Sequence, residues 1–222
     1  MNQTKTSNSQ DRQVVTSFNA SNLAKSDFAG VTAHNGQFKS SSLSGSDFSG
    51  ADLTGSSFKS SDVHGAHFDG TNLTDCNLST LDLANASFNK TVLVRTDFSK
   101  SRLAGATFLD AKLTDVNLTM TDLRNTVFEN CMFDGADFTN SDLTGLVLDG
   151  QTFIGVRFDK AGLNGVSFKG AVIKNSSFQG SSLSKKYYRA IKTICFDGAT
   201  MDKLTYAALK GLEANLSKVT VV

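Results

Sequence analysis

The side chains that most often carry catalysis or bind metals are few in this chain of 222 residues. Its histidines and cysteines, three of each, are His34, His64, His67, Cys76, Cys131 and Cys195. None of them falls into the spacing of a zinc-binding helix, a paired-cysteine metal site or a phosphate-binding loop. We therefore predict no metal site, no cofactor and no enzymatic activity, and we expect the histidines on the surface.

The dominant pattern of the sequence is a period of five residues. From Phe18 to Leu183, 16 of the 17 Phe residues and a similar number of Leu residues fall on one register of every fifth position. The residue two places before each centre is usually small, as at Ser46 and Ala51. This period belongs neither to an α-helix nor to a flat strand, so it predicts a short straight stretch followed by a corner. Glycine at the corners supplies left-handed backbone; examples are Gly30, Gly45, Gly50, Gly55 and Gly70.

A period of twenty residues lies on top of the period of five. Every fourth centre repeats the same residue type, so that columns rich in Phe alternate with columns rich in Leu, as at Phe48, Phe68, Phe88 and Phe108. The pattern predicts a four-sided coil whose interior is filled by stacked identical side chains. Cys76 and Cys131 fall on the small inward position, and we expect buried, unreactive thiols there.

The repeat resembles that of the pentapeptide-repeat family, whose consensus is roughly Ala-(Asp/Asn)-Leu-X-X. The match is literal at Ala51-Asp52-Leu53-Thr54-Gly55 and recurs at Ala136-Asp137-Phe138 and Ser141-Asp142-Leu143. The resemblance implies an all-β fold, a right-handed quadrilateral β-helix over residues 16–185. At the usual spacing of parallel strands, about 8.5 coils would form a rod about 41 Å long.

The remaining segments and the overall composition indicate a protein of the cytoplasm. Residues 1–15 are polar and are expected to be a flexible lead-in, and residues 186–222 to form a C-terminal cap. Within the cap, Asp202 is a plausible N-cap of a helix running to about Ala214. The net charge of +1 and the absence of a long apolar run argue against direct nucleic-acid binding and against a membrane span.

The family resemblance implies that the C-terminal helix forms a homodimer, with a monomeric cap as the alternative. The candidate dimer residues form one stripe on that helix: Leu204, Ala208 and Leu212.

Two outward-facing surfaces are candidates for contact with a partner. The first is an acidic strip, interrupted by Arg102 and formed by Asp62, Asp82, Asp122 and Asp142. The second is an apolar patch on two adjacent faces, formed by Val92, Val94, Leu109, Val127, Met132, Val147, Ile154 and Val172.

These surfaces lead to two hypotheses for function. The first is a non-catalytic scaffold that presents a rod-like surface to a protein partner. The alternative, which rests on the family resemblance, is a DNA-mimicking protein of the quinolone-resistance type that interacts with DNA gyrase or another topoisomerase.

Overall fold

The protein folds as a right-handed β-helix of about 10 turns with two short helices near its C-terminal end, which confirms the predicted fold class. The computed structural model describes residues 16–180 and 185–222. The expected lead-in of residues 1–15 and the last predicted repeat centre, Leu183, lie outside the described residues.

Over residues 16–180, each coil of the β-helix holds twenty residues and has four sides. We number the sides by their first inward residue: face 1 begins at Phe18, face 2 at Leu23, face 3 at Phe28 and face 4 at Ala33. Residues twenty apart therefore lie side by side on neighbouring coils, as the parallel register of Phe108 against Phe128 shows.

Short parallel strands form wherever two or three consecutive residues of one face join the ladder. Face 1 carries β1 (Ser17–Asn19) and β2 (Gln37–Lys39), and face 3 carries β4 (Thr107–Leu109) and β6 (Val127–Glu129). Face 4 carries a seven-stranded sheet of β3 (Val92–Val94), β5 (Lys112–Thr114), β7 (Met132–Asp134), β8 (Thr152–Ile154), β9 (Val172–Lys174), β10 (Thr200–Met201) and β11 (Thr220–Val221).

The repeat Ala51–Gly55 shows why five residues suffice for one side. The N–H of Ala51 bonds to a carbonyl three residues back at 3.0 Å, and that of Asp52 to the preceding coil at 2.9 Å. The N–H groups of Leu53 and Gly55 reach carbonyls of the following coil at 2.9 and 2.8 Å. The N–H of Thr54 donates to Asp52 Oδ1 at 3.2 Å. All five donors are satisfied, so a proline would remove a bond at any position.

The corners need left-handed backbone at every fifth residue. The corner glycines adopt it as predicted, with φ of +66° at Gly50 and +72° at Gly55. A Cβ at Gly55 would also lie 2.4 Å from Asn35 Oδ1 of the coil before. Other residues take the same conformation, as Lys25 does with φ of 59°, at a steric cost that the surrounding ladder offsets.

Stacked phenylalanine rings fill the interior. Phe88 is fully buried, with its ring stacked 5.1 Å from that of Phe68 and 4.8 Å from that of Phe108. Across the coil, the ring centroids of Phe88 and Phe98 lie 5.4 Å apart and the ring planes form an angle of 87°, which is an edge-on contact. Stacked and edge-on geometries are the two that aromatic pairs favour, so the core combines area burial with ring complementarity.

Hydroxyl groups at the small inward position also donate hydrogen bonds to backbone carbonyls of the preceding coil. The Ser56 hydroxyl donates to the carbonyl of Ala33 at 2.7 Å, and the Thr71 hydroxyl to that of Phe48 at 2.7 Å. Cys76 and Cys131 occupy the same position and are buried, as predicted. Burial raises the pKa of the Cys76 thiol to about 12 and that of Cys131 to about 11, so both stay protonated at neutral pH.

The C-terminal part mixes helices with further coil. Helix α1 (Lys185–Ile191) was not predicted from the sequence; it buries Tyr187 and Ile191. The coil then resumes, since Cys195 bridges to Ser167 in the parallel register. Neither helix of the described chain is long and apolar enough to cross a membrane.

Helix α2 (Lys203–Gly211) begins at the predicted N-cap, Asp202, whose carboxylate accepts from the N–H groups of Leu204 and Thr205. The prediction of its end near Ala214 was wrong. The N–H of Leu212 donates to carbonyls of the last turn, and Glu213 adopts a left-handed φ of 59°. The helix therefore ends at Gly211.

We predict that Phe88→Ala lowers the free energy of unfolding by about 3–5 kcal/mol, because the rings above and below cannot collapse into the gap. Urea denaturation of the wild type and the variant measures this difference. Phe18→Ala is the control, because Phe18 lies in the first coil and is only half-buried. Equal losses in the two variants would contradict the stacked-core explanation.

Candidate interaction surface

The histidines lie on the outer surface, as expected. His34 Nε2 lies 2.9 Å from Asp52 Oδ2, and His67 Nδ1 lies 3.1 Å from the Ser87 hydroxyl. Within residues 16–180 and 185–222, no three His, Cys, Asp or Glu side chains come close enough together to hold a metal ion.

The four aspartates of the predicted acidic strip all cap turns on face 2. In each of them, Oδ1 accepts the backbone N–H two residues later, at 3.0 to 3.2 Å; they are Asp62, Asp82, Asp122 and Asp142. Asparagine performs the same task elsewhere, as Asn72 does for the N–H of Thr74 at 3.1 Å. The recurrence of Asp and Asn therefore has a structural cause that the sequence analysis did not identify.

Arginines neutralise most of this column. Arg102 Nη1 lies 3.2 Å from Asp82 Oδ2, and Arg124 Nη2 lies 2.8 Å from Asp122 Oδ2. Arg124 also approaches Asp142 at 3.6 Å. The hydrogen bond from Arg124 holds the pKa of Asp122 below its ordinary value. The four carboxylates therefore lie in one column, but they do not form an uninterrupted acidic strip.

The part of the predicted apolar patch on face 4 is interleaved with polar residues. In the strand register, Val92, Met132 and Val172 alternate with Lys112 and Thr152. In the next column the two apolar residues, Val94 and Ile154, are separated by Thr114 and Asp134. Val92 and Met132 are nevertheless about half exposed, at 46% and 47%.

The part of the patch on face 3 is more compact. Val127 and Val147 occupy the same place on successive coils and are 45% and 63% exposed. Leu109 lies on the coil before, opposite Glu129. Val127 and Val147 therefore present adjacent aliphatic surface to solvent.

A groove of about 490 Å³ runs between these two coils on face 3. Its apolar lining comes from Val127, Phe128, Leu146 and Val147, and Glu129, Asp149 and Gln151 also line it. The sequence analysis missed Leu146 and Gln151, although both stand at the inward position that is usually Ala, Ser, Thr or Cys. That departure from the repeat was the signal in the sequence.

The fold defines the protein as a member of the parallel β-helix class, built from five-residue repeats. Two family models agree: residues 37–75 match "Pentapeptide repeats (8 copies)" and residues 81–152 match "Pentapeptide repeat region". Together these matches span half of the chain. The chain belongs to the pentapeptide-repeat family.

Solved structures with the same fold include two pentapeptide-repeat proteins. HetL, involved in heterocyst differentiation regulation in the cyanobacterium Nostoc sp., is 20% identical, with a TM-score of 0.62 over 83% of this chain and 86% of HetL. A trypsin-treated variant of QnrB1, a plasmid-mediated fluoroquinolone resistance protein, is 18% identical, with a TM-score of 0.57 over 89% of this chain and 95% of that protein. Among curated proteins, none matches the chain.

We predict that Asp62→Ala lowers the free energy of unfolding by about 1 kcal/mol, because the N–H of His64 loses its acceptor. Asp62→Asn keeps an oxygen at the same place and should leave the stability almost unchanged. Thermal or urea denaturation at neutral pH compares the two. If Asn and Ala were equally destabilising, the negative charge rather than the turn cap would be the important property of Asp62.

Proposed function

We propose that the protein is a non-catalytic scaffold of the cytoplasm that presents its rod surface to a macromolecular partner. The observation that carries this proposal is the exposure of aliphatic side chains on faces 3 and 4, above all Val92, Val127, Met132 and Val147. The inward positions already supply a filled core, so these outward side chains are not needed to form the coil. Exposed apolar surface of this kind is typical of contact sites.

The use of the polar groups supports a non-catalytic role. Aspartates such as Asp82 and Asp122 are bound to turn N–H groups and to arginines. Burial holds the thiols of Cys76 and Cys131 in the protonated form, which is not nucleophilic. The three cysteines are all free, which supports the assignment to a reducing compartment.

The alternative, a DNA-mimicking protein that interacts with gyrase, depends on an unbroken series of negative charges. Arg102 and Arg124 interrupt that series on face 2. The likeness to QnrB1 concerns the fold. The charge distribution therefore favours the scaffold over the mimic.

We further propose a homodimer formed through the C-terminal segment. Helix α2 packs on the rod through Thr205 and Leu209. Of the predicted stripe, Leu204 and Ala208 are exposed, whereas Leu212 is half-buried and packs against the core. Leu204 is 76% exposed. A groove of about 460 Å³ lies between this stripe and the residues around Phe178. The outer edge of β11 is unpaired among the described strands, which adds backbone donors and acceptors to the same end.

For the scaffold, we predict that the double change of Val92→Ser and Met132→Ser weakens partner binding at least about tenfold, because the lost apolar contacts cannot be replaced. The partner is first isolated by affinity capture from cells that naturally contain the protein. The dissociation constants of the purified partner for the wild type and the double variant then measure the effect. Lys59→Ser changes an exposed residue on face 1 and is the matched control. This variant should bind the partner with wild-type affinity.

Purified DNA gyrase belongs in the same binding measurement at two salt concentrations. Salt-sensitive binding that persists in the Val92/Met132 variant and disappears when Asp62 and Asp82 are both changed to Asn would contradict the scaffold and support DNA mimicry.

For the dimer, we predict that Leu204→Glu converts it to a monomer, because the buried charge would have no partner in the interface. Sedimentation velocity over a range of concentrations measures the change. Lys203→Glu, at the exposed neighbouring position, is the control and should leave the dimer intact. A wild-type protein that sediments as a monomer at all concentrations would overturn the proposal.

A further inference from the structure

A groove of about 250 Å³ lies between helix α1 and face 2, near the C-terminal end of the rod. Its floor is the stretch Ala161–Leu163, and its wall is formed by Tyr187 and Ala190 of α1. Two lysines also line it, Lys160 from the rod and Lys186 from the helix. We call this space the basic groove.

Contacts near both ends of α1 hold the wall of the basic groove in place. Tyr187 is buried beside Gly180, where an added Cβ would lie 2.4 Å from the ring atom Cδ1, so the glycine leaves the room that the ring occupies. Just beyond the helix, the Thr193 hydroxyl accepts the N–H of Gly165, at the corner that follows face 2, at 2.8 Å. The groove is therefore part of the fold and is already formed before a ligand binds, which favours affinity.

Gly162 keeps the floor of the groove open. On the coil before, Asp142 occupies the same place, and its Oδ1 accepts the N–H of Thr144 at 3.0 Å. Gly162 has no such acceptor, and in the part of the chain that the structure describes the N–H of Asn164 forms no backbone hydrogen bond. Its φ is not left-handed, so the backbone does not require glycine there.

The glycine provides space. A Cβ at Gly162 would lie 3.1 Å from Asp142 Oδ1 and 3.5 Å from Thr144 Oγ1, and both of these residues line the groove. Any side chain at this position would therefore enter the groove. A turn cap is missing at the one coil of this column that α1 covers, and a local departure of this kind is typical of functional sites.

Four exposed cations surround the groove. Lys160 and Lys186 lie at its two rims, and the helical spacing places Lys185 and Arg189 on the side of α1 opposite to the buried Tyr187. None of the four cations forms an ion pair with any residue that the structure describes. Their positive charge is therefore available to a partner.

Other charges at the same end are already paired. Lys218 Nζ lies 2.6 Å from Asp197 Oδ2, and Lys192 forms an ion pair with Glu213. Asp142, which lines the groove, lies 3.6 Å from Arg124. The groove and the exposed side of α1 therefore form a positive surface beside neutralised neighbours.

The chemistry of the groove suits an acidic segment of a protein. The space over Gly162 and the apolar wall at Ala190 accommodate an aliphatic side chain. Lysines at both rims attract carboxylates, and Arg189 can hold one through two parallel hydrogen bonds.

The distribution of charge along the molecule favours a short anionic partner over a long one. Residues 185–222 carry 7 basic and 3 acidic side chains, whereas residues 16–180 carry 13 basic and 17 acidic ones. A long polyanion such as nucleic acid would extend from the groove onto the rod and meet negative charge there. A short acidic segment would contact the positive end alone.

We propose that the basic groove binds a short acidic segment of a partner protein. An aliphatic side chain of that segment lies over Gly162, and its carboxylates pair with Lys160, Lys186 and Arg189. The inference rests on the proposed scaffold function and adds a second contact surface, whose chemistry differs from that of the exposed aliphatic side chains on faces 3 and 4.

Fluorescence anisotropy with a labelled peptide, acetyl-Glu-Glu-Leu-Glu-Glu-amide, tests the proposal. The full chain should bind it at least about tenfold more tightly than the matched peptide with Gln in place of every Glu, and the difference should shrink at high salt. Lys160→Gln and Lys186→Gln should each weaken binding several-fold. Lys203→Gln removes the same charge from an exposed place on α2 that does not line the groove; it is the matched control and should have no effect.

Filling the floor of the groove provides a second test. Gly162→Asn places a side chain in the groove without changing the charge, and it supplies the acceptor that the N–H of Asn164 lacks. Asp122 and Asp142 already lie side by side in this column, so the coils have room for such a residue. Peptide binding should weaken at least about tenfold, since the aliphatic side chain loses its place. The melting temperature should stay at or above that of the wild type, which shows that the variant is folded.

Several results would overturn the inference. They are equal binding of the two peptides, equal losses for Lys186→Gln and Lys203→Gln, or full binding by a folded Gly162→Asn variant. A labelled single-stranded DNA oligonucleotide that binds more tightly than the acidic peptide, and is weakened by Lys186→Gln, would identify a nucleic-acid site and would also overturn it. None of these results affects the scaffold proposal, which depends on partner capture by Val92 and Met132 on face 4.

Discussion

The fold depends on one constraint: every backbone N–H of a five-residue side must find an acceptor. In the repeat Ala51–Gly55, two donors reach the following coil, one reaches the preceding coil, one closes the corner and one is held by Asp52. The sequence preferences of the repeat follow from this allocation. A large apolar centre fills the interior, a small residue lets the coils approach, Asp or Asn holds the remaining donor, and proline is excluded.

Much of the fold was predictable because it is repetitive. The five- and twenty-residue periods identified the inward columns, the corner glycines and the buried thiols of Cys76 and Cys131, since each depends on the local side-chain type. Helix α1 was not predicted, because Lys185-Lys186-Tyr187-Tyr188-Arg189 has no strong helical periodicity and its helix depends on burying Tyr187 and Ile191 against the rod. The family's known fold supplied the handedness.

The surface was less predictable, for a physical reason. The sequence correctly placed four aspartates in one column, namely Asp62, Asp82, Asp122 and Asp142. It did not show that they accept hydrogen bonds from turn N–H groups, or that Arg124 contacts two of the carboxylates, because both depend on the folded geometry. The break in the ladder beside β6, where the N–H groups of Phe128 and Val147 form no backbone hydrogen bond among the described residues, is similar. Leu146 is visible in the sequence as an exception to the repeat, but the loss of ladder bonds follows only from the close spacing of the coils.

The interrupted ladder also affects how the rod unfolds. In a repeat protein each coil is stabilised by its neighbours, so the strength of each junction sets how far an opening propagates. The junction between β6 and the following coil keeps its ring stacking on face 4, where Phe133 and Phe153 lie 4.8 Å apart. On face 3, the N–H groups of Phe128, Asn130 and Val147 form no backbone hydrogen bond among the described residues. We therefore expect local opening of the rod at this junction as well as at the ends.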